Sequence, residues 1–162
     1  MDIYSIEAEP GVLGISAMPG LAFGLTADVA ALAAWGAGLV LTMTGTGEME
    51  RMGFKGIAAL LAAKGIAWRH LPVEDWGAPS EPVQRLWPDA SEEAHRILDQ
   101  GGKVLTHCRA GCGRSGMAAL RLLVERGEEA EAALHRLRGV RPCAVETNGQ
   151  FGWAAGGAGR RA

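Results

Sequence analysis

The chain has 162 residues, 48% of them hydrophobic and 21% charged, with a formal net charge of −2. That composition supplies the core of a single domain and excludes a global basic field for nucleic acid or an anionic membrane. Three cysteines, an odd and low number, argue against a disulfide scaffold and for a reducing, cytoplasmic setting.

In chain order, Met1-Asp2-Ile3-Tyr4 carries no basic leader of a signal peptide. Val12 to Ala17 reads as a strand closed by Pro19-Gly20. The apolar stretch from Leu21 to Met43 is interrupted by Asp28 and several glycines and has no flanking positive charge. It reads as a helix followed by a strand, not as a membrane span. Thr26 is placed to cap the helix from Ala27 to Trp35, with Asp28 in its first turn. Leu39 to Met43 is the continuous apolar run of a strand buried on both faces.

Gly56 to Lys64 is a short helix stopped by Gly65, and Ile66 to Leu71 is the next strand. A helix from about Ser91 to Gln100 ends at Gly101-Gly102, and the strand Lys103 to Thr106 runs directly into His107-Cys108. Ser115 to Glu125 is apolar nearly all round, the pattern of a helix buried in the middle of the fold. Glu128 to Arg138 carries Ala130, Ala133, Leu134 and Leu137 at helical spacing, acids first and arginines last. Alternating strands and helices predict a three-layer α/β domain over residues 1–155, with a mostly parallel sheet flanked by helices. Residues 156–162 are expected to form a disordered tail.

The segment with the most chemistry is His107-Cys108-Arg109-Ala110-Gly111-Cys112-Gly113-Arg114-Ser115-Gly116, between a strand and a helix. A cysteine six places before an arginine is common; here glycines, the strand–helix context and a hydroxyl after the arginine accompany it. Glycines permit a tight turn in which successive N–H groups of residues 109–114 converge as an anion nest. The following helix aims its positive end at the same spot. Arg114 offers a planar fork for two phosphate oxygens, and the same positive surroundings favour a nucleophilic thiolate at Cys108. Ser115 is positioned to donate a hydrogen bond to that sulfur. His107 reads as a residue that orders the loop and not as a base.

This loop resembles the signature of the protein tyrosine phosphatase superfamily, in its dual-specificity branch. The segments Leu13 to Gly20, Pro72 to Pro79 and Ala144 to Gln150 extend the likeness to the cyclin-dependent-kinase-associated phosphatases and their bacterial relatives. The resemblance runs from about Leu13 to Trp153 and implies hydrolysis of phosphate monoesters through a phosphocysteine, without metal or other cofactor. It implies a phosphorylated protein as partner, with phosphotyrosine, phosphoserine and phosphothreonine as candidate substrates.

By the same resemblance Asp75, 33 residues before Cys108 in a Pro/Gly-rich turn, is the general acid and then the base that activates water. Glu74 is the competing carboxylate, and Trp76 either walls the pocket or packs. Gln150 corresponds to the glutamine that orients the hydrolytic water. Arg141 falls in an Arg-Pro stretch that supports the loop. Arg109 either takes a second anionic group or faces water.

Cys112 stands where the family carries a bulky or polar residue, and is read as a passive thiol, the alternative being a protective disulfide with oxidised Cys108. A zinc site from His107, Cys108, Cys112 and Cys143 has ligand chemistry without ligand spacing. The competing functions are a phosphoinositide or small-molecule phosphatase, a silent phosphate-binding module and a rhodanese-like sulfur enzyme. A monomer without nucleic-acid or membrane partners is expected.

Overall fold

The computed structural model describes residues 1–159. Five strands form one sheet in the order β1 (Tyr4–Ala8), β2 (Gly11–Ser16), β5 (Lys103–His107), β3 (Ala37–Thr42), β4 (Ala67–His70). β1 runs antiparallel to β2, and every other pairing is parallel. The central strand is therefore β5, whose carboxyl end delivers Cys108, the place where open α/β sheets gather their chemistry.

Helices cover both faces. On one side lie α1 (Leu25–Trp35), α2 (Thr46–Arg51) and α3 (Ile57–Ala63), which bury Val29, Leu32, Met49, Ile57 and Leu61 with Val40 and Leu105 of the sheet. On the other lie α4 (Glu81–Asp99), α5 (Gly113–Glu125), α6 (Ala130–Val140) and α7 (Asn148–Ala155), packed on Leu13, Ile15, Leu39, Leu41 and Val104. This three-layer packing explains the uninterrupted apolar run of β3: with helices on both faces, neither set of alternating side chains meets water.

Four elements differ from expectation: β1 and α2 stand where no element was expected, and α1 and α4 start earlier than expected. β1 shows alternation, Ile6 and Ala8 inward and Ser5 and Glu7 outward, as suits an edge strand with one wet face. Helix α1 starts two residues before the expected Ala27, with Gly24 at its N-cap, so Thr26 is no cap. Asp28 lies in the first turn as expected, and is buried, accepting the Gly20 N–H at 2.6 Å. Helix α4 begins at Glu81, ten residues before the expected start, with a proline in its first turn, where a missing N–H costs nothing. It passes through Pro88 because Trp87, 2% exposed, anchors it in the core.

At the carboxyl end, residues 156–159 continue α7 as hydrogen-bonded turns, with Gly157 N–H donating to the Ala154 carbonyl, so the expected disorder does not begin at Gly156. Residues 160–162 of that expected tail lie outside the described residues. Among the described residues no helix is long and apolar enough to cross a membrane.

Candidate active site

The loop from Cys108 to Arg114 curls with four of its carbonyls, Arg109 to Cys112, held by surrounding groups. Arg109 O accepts from Met18 N–H at 3.1 Å, and Cys112 O from Gly116 N–H at 2.9 Å and Val145 N–H at 3.4 Å. Ala110 O and Gly111 O each accept from the Arg141 guanidinium at 2.9 Å. In a planar trans peptide the N–H points opposite to the carbonyl. Four outward carbonyls therefore turn the N–H groups of Ala110, Gly111, Cys112 and Gly113 toward the concave side, the arrangement of an anion nest. Gly111 has φ +71°, and a Cβ there would lie 2.5 Å from the backbone of Ser16, so only glycine fits. A Cβ at Gly113 would lie 2.2 Å from the Glu146 carboxylate and 3.0 Å from the Gln150 amide.

Cys108 is 3% exposed, and its Sγ lies 3.3 Å from the Ser115 hydroxyl. His107 sits behind it, fully buried, with Nδ1 3.5 Å from the Cys108 carbonyl and Nε2 2.7 Å from Thr42 Oγ1. A nitrogen facing a carbonyl must carry the proton, so Nε2 accepts from the Thr42 hydroxyl, whose oxygen in turn accepts from Trp68 Nε1. Burial, opposed by the contact with the Cys108 carbonyl, pushes the imidazole pKa down to about 4. His107 is thus a neutral strut under the loop.

Arg114 is 2% exposed and reaches across to α2, where Glu48 holds it through two contacts of 2.7 and 3.1 Å. Nη1 also donates to the Val73 carbonyl at 3.1 Å, and Nη2 lies 3.2 Å from Asp75 Oδ1. Burial disfavours the guanidinium cation, but the hydrogen bonds to Glu48 together with the charges of Cys108, Glu48 and Asp75 outweigh it and raise its pKa. The same hydrogen bonds hold the Glu48 carboxyl below its ordinary range, against the opposing effect of burial. Glu48 escaped the sequence reading. Its one signal was an acid at the start of a short helix just past the carboxyl end of β3, beside the strand that carries Cys108.

Asp75 lies at the lip, 54% exposed, with its carboxylate turned toward Arg114 and accepting the Trp76 N–H at 3.1 Å. Glu74 is exposed, and the two share the wall of a cleft of about 480 Å³ with Arg51, Arg109 and the start of α2. Trp76 is 61% exposed at φ +64°, a conformation unfavourable for an aromatic residue, and stands at the rim instead of packing. Gln150 is fully buried: its Oε1 accepts the Glu146 N–H at 2.8 Å, and its Nε2 donates to the Gly77 carbonyl at 3.2 Å. It therefore joins the start of α7 to the loop that carries Asp75.

Cys112 is not a passive thiol, nor does it pair with Cys108. It forms a disulfide with Cys143, Cα to Cα 5.1 Å, and Cys108 is the free cysteine. The partners are 31 residues apart and meet because the chain after α6 returns along the start of α5, a juxtaposition invisible in a spacing pattern. The disulfide also removes two of the four ligands from the zinc alternative. Among the described residues no group of three or more His, Cys, Asp or Glu is arranged to hold a metal.

A larger cleft of about 620 Å³ lies elsewhere, lined by Trp87, Ser91, His95 and Glu125. Glu125 ends α5, roughly 18 Å along the helix from the loop. Its carboxylate is saturated by Trp87, Ser91, His95 and Arg121, which is the behaviour of a structural network and not of a reactive centre.

Comparison with known proteins agrees with this geometry. A family model described as a polymorphic toxin system DSP-PTPase phosphatase matches residues 16–128. The chain is 30% identical over 148 residues to cyclin-dependent kinase inhibitor 3 of Mus musculus, covering 87% of this chain and 69% of that protein. A crystal structure of kinase-associated phosphatase, with serine replacing the catalytic-site cysteine, matches with a TM-score of 0.82 at 25% identity, over 95% of this chain and 92% of that one. The active form of Tk-PTP matches with a TM-score of 0.69 at 28% identity, over 86% of each chain. The sulfur-transfer and silent-module readings give way to these matches. With its nest, cysteine and buried arginine at the end of the central strand, the chain belongs to the DSP-PTPase family of dual-specificity phosphatases.

Proposed function

We propose that this phosphatase hydrolyses phosphorylated side chains of proteins, phosphotyrosine and also phosphoserine or phosphothreonine, through a phosphocysteine on Cys108. The observation that carries the reading is the curled loop from Cys108 to Arg114, whose outward-held carbonyls turn the N–H groups of Ala110 to Gly113 to its concave side. In the first step Cys108 Sγ bonds to phosphorus as the ester P–O bond breaks, and the leaving oxygen takes a proton from Asp75. In the second, water bonds to phosphorus and gives its proton to Asp75, while the S–P bond breaks and sulfur leaves, helped by the Ser115 hydroxyl.

Arg114 commits both Nη1 hydrogens to Glu48 and Val73, and one Nη2 hydrogen to Glu48. The Nη2 hydrogen aimed at Asp75 is the one an arriving oxyanion takes, which frees Asp75 to face the leaving group. This supports Asp75 over Glu74, whose carboxylate lines only the cleft wall. Gln150, between the Asp75 loop and Gly113, is the residue for positioning water. Arg109, exposed beside the cleft, is available to a second anionic group of the substrate. A related phosphatase with a catalytic-site cysteine supports the role given to Cys108.

Residues 1–155 act in this reading as a single domain, monomeric, without nucleic-acid or membrane partners; the net charge of −2 supports the last two points, while the Cys112–Cys143 disulfide removes the cysteine-count argument for a reducing, cytoplasmic setting. The test is turnover of an aryl phosphate and of phosphopeptides. Cys108→Ser is expected to abolish hydrolysis while retaining oxyanion binding, and retained hydrolysis would overturn the covalent route. Asp75→Asn is expected to slow poor leaving groups more than good ones; an equal loss for both would place the acid elsewhere.

A further inference from the structure

Three of the four outward carbonyls of the nest are held by one short segment, residues 141–145. Arg141 donates Nε to Gly111 O and Nη2 to Ala110 O, and Val145 donates its N–H to Cys112 O. Arg141 is itself oriented from two sides. Its guanidinium stacks over the Tyr4 ring of β1 at 4.3 Å, and Nη2 lies 3.7 Å from Cys112 Sγ. Arg138 meanwhile fixes the backbone beyond it, donating to the Ala144 and Val145 carbonyls at 3.0 and 2.8 Å. Val145 is held at φ +63°, a conformation that a β-branched residue adopts only under outside constraint.

Parallel N–H dipoles converging on one point repel each other when no anion is bound, so a nest left to itself relaxes. What opposes relaxation is the hold on the carbonyl side. Within it the Cys112–Cys143 disulfide is the one covalent link, joining a nest residue to the residue two places after Arg141. Both cysteines are partly exposed, so a small dithiol reaches them.

We propose that the Cys112–Cys143 disulfide is a positioning element of the active site, keeping Arg141 in register with Ala110 and Gly111 so that the oxyanion nest is formed before substrate arrives. Reduction by a dithiol breaks the S–S bond. Two electrons pass from the dithiol, which closes to its own disulfide, and its two protons end on the Cys112 and Cys143 thiols. The nest then loses its covalent hold, and oxyanion affinity falls with it. The inference rests on Cys108 to Arg114 being the site of phosphate chemistry.

The test separates the two. In a Cys108→Ser background, the only sulfurs a reductant can act on are Cys112 and Cys143, and tungstate binding is read by calorimetry with no turnover involved. Dithiothreitol, Cys143→Ala and the pair Cys112→Ala with Cys143→Ala are each expected to weaken tungstate binding about tenfold. With Cys108 present, the disulfide-free variants are expected to lose about tenfold in kcat/KM on an aryl phosphate, unaffected by dithiothreitol. Mass spectrometry of unreduced protein should find Cys108 alkylated and the Cys112 and Cys143 peptides linked.

Three alkylated cysteines without reductant would overturn the proposal. So would tungstate affinity that stays unchanged in the variants, including where their melting temperature falls, since that pattern marks a purely stabilising bond. Failure of the protein to hydrolyse any aryl phosphate would instead strike at the catalytic reading, while the tungstate measurements would still report on the clamp.

Discussion

Glu48 is the residue whose role depends most on tertiary contact. It is the anionic partner that holds the Arg114 guanidinium through two hydrogen bonds, and only folding brings α2 beside the end of β5. Glu48→Gln should leave Arg114 charged yet loosely held, with kcat/KM for an aryl phosphate down about tenfold to a hundredfold and a lowered melting temperature, since a buried cation loses its anionic partner. An unaltered kcat/KM would show that Val73 and the nest suffice to orient the arginine. Gly111 makes the complementary case on the backbone. With φ +71° and the Ser16 backbone 2.5 Å from any Cβ, Gly111→Ala should abolish phosphate binding by prising the loop from β2, which tungstate calorimetry would detect.

At the scale of elements, the pairing of α4 with α5 decides how the loop is supported. Buried at every position despite its charged Arg114, Arg121 and Glu125, α5 carries the nest at its amino end and Glu125 at its carboxyl end. Glu125 is gripped by Trp87, Ser91 and His95 of α4 and by Arg121 of α5, which also donates to the Trp153 carbonyl of α7. One buried carboxylate thus fastens three helices, and Trp87 meets Trp153 edge-on at 4.9 Å. Glu125→Ala leaves Arg121 buried without its partner and should cost about 3–5 kcal/mol in denaturant unfolding. This network also explains why α4 survives Pro88: the backbone bond lost at the proline is offset by the anchoring of the neighbouring tryptophan.

For the whole molecule, two buried groups set the response to acid. Burial keeps His107 neutral down to about pH 4, whereas in the unfolded chain it takes a proton near 6.5. The unfolded state therefore binds the extra proton between those values, and stability falls as pH drops from 6.5 to 4. At Glu125 the hydrogen bonds from His95, Ser91, Arg121 and Trp87 overcome the cost of burial and lower the pKa from 4.5 to about 2. Its contribution is full above 4.5 and is lost as pH falls toward 2. Each amounts to on the order of 3 kcal/mol across its window. Melting temperatures measured from pH 7 to 3 should fall throughout. His107→Asn should flatten the upper part of that profile and Glu125→Gln the lower, and parallel profiles for variant and parent would refute the assignment. The disulfide adds its own term, since a bridge closing about thirty residues stabilises by roughly 3–4 kcal/mol through the unfolded chain.

Much of this was determined by sequence alone. Asp75 is picked out by family resemblance, whereas the strand–loop–helix around Cys108 and the layered α/β order follow from local patterns: apolar runs, glycines where the backbone must bend, an arginine six places after a cysteine. These are short-range properties, fixed by sterics and periodicity within a few residues. What only the tertiary structure decided lies between distant segments. The Cys112–Cys143 bond, the Glu48 hold on Arg114 and the Arg141 grip on the nest carbonyls each join residues about thirty to seventy positions apart, and side-chain chemistry names a possible partner without saying which one folding will bring near. Helix α4 makes the same point at its proline, where local preference argued for a break and burial of Trp87 overruled it.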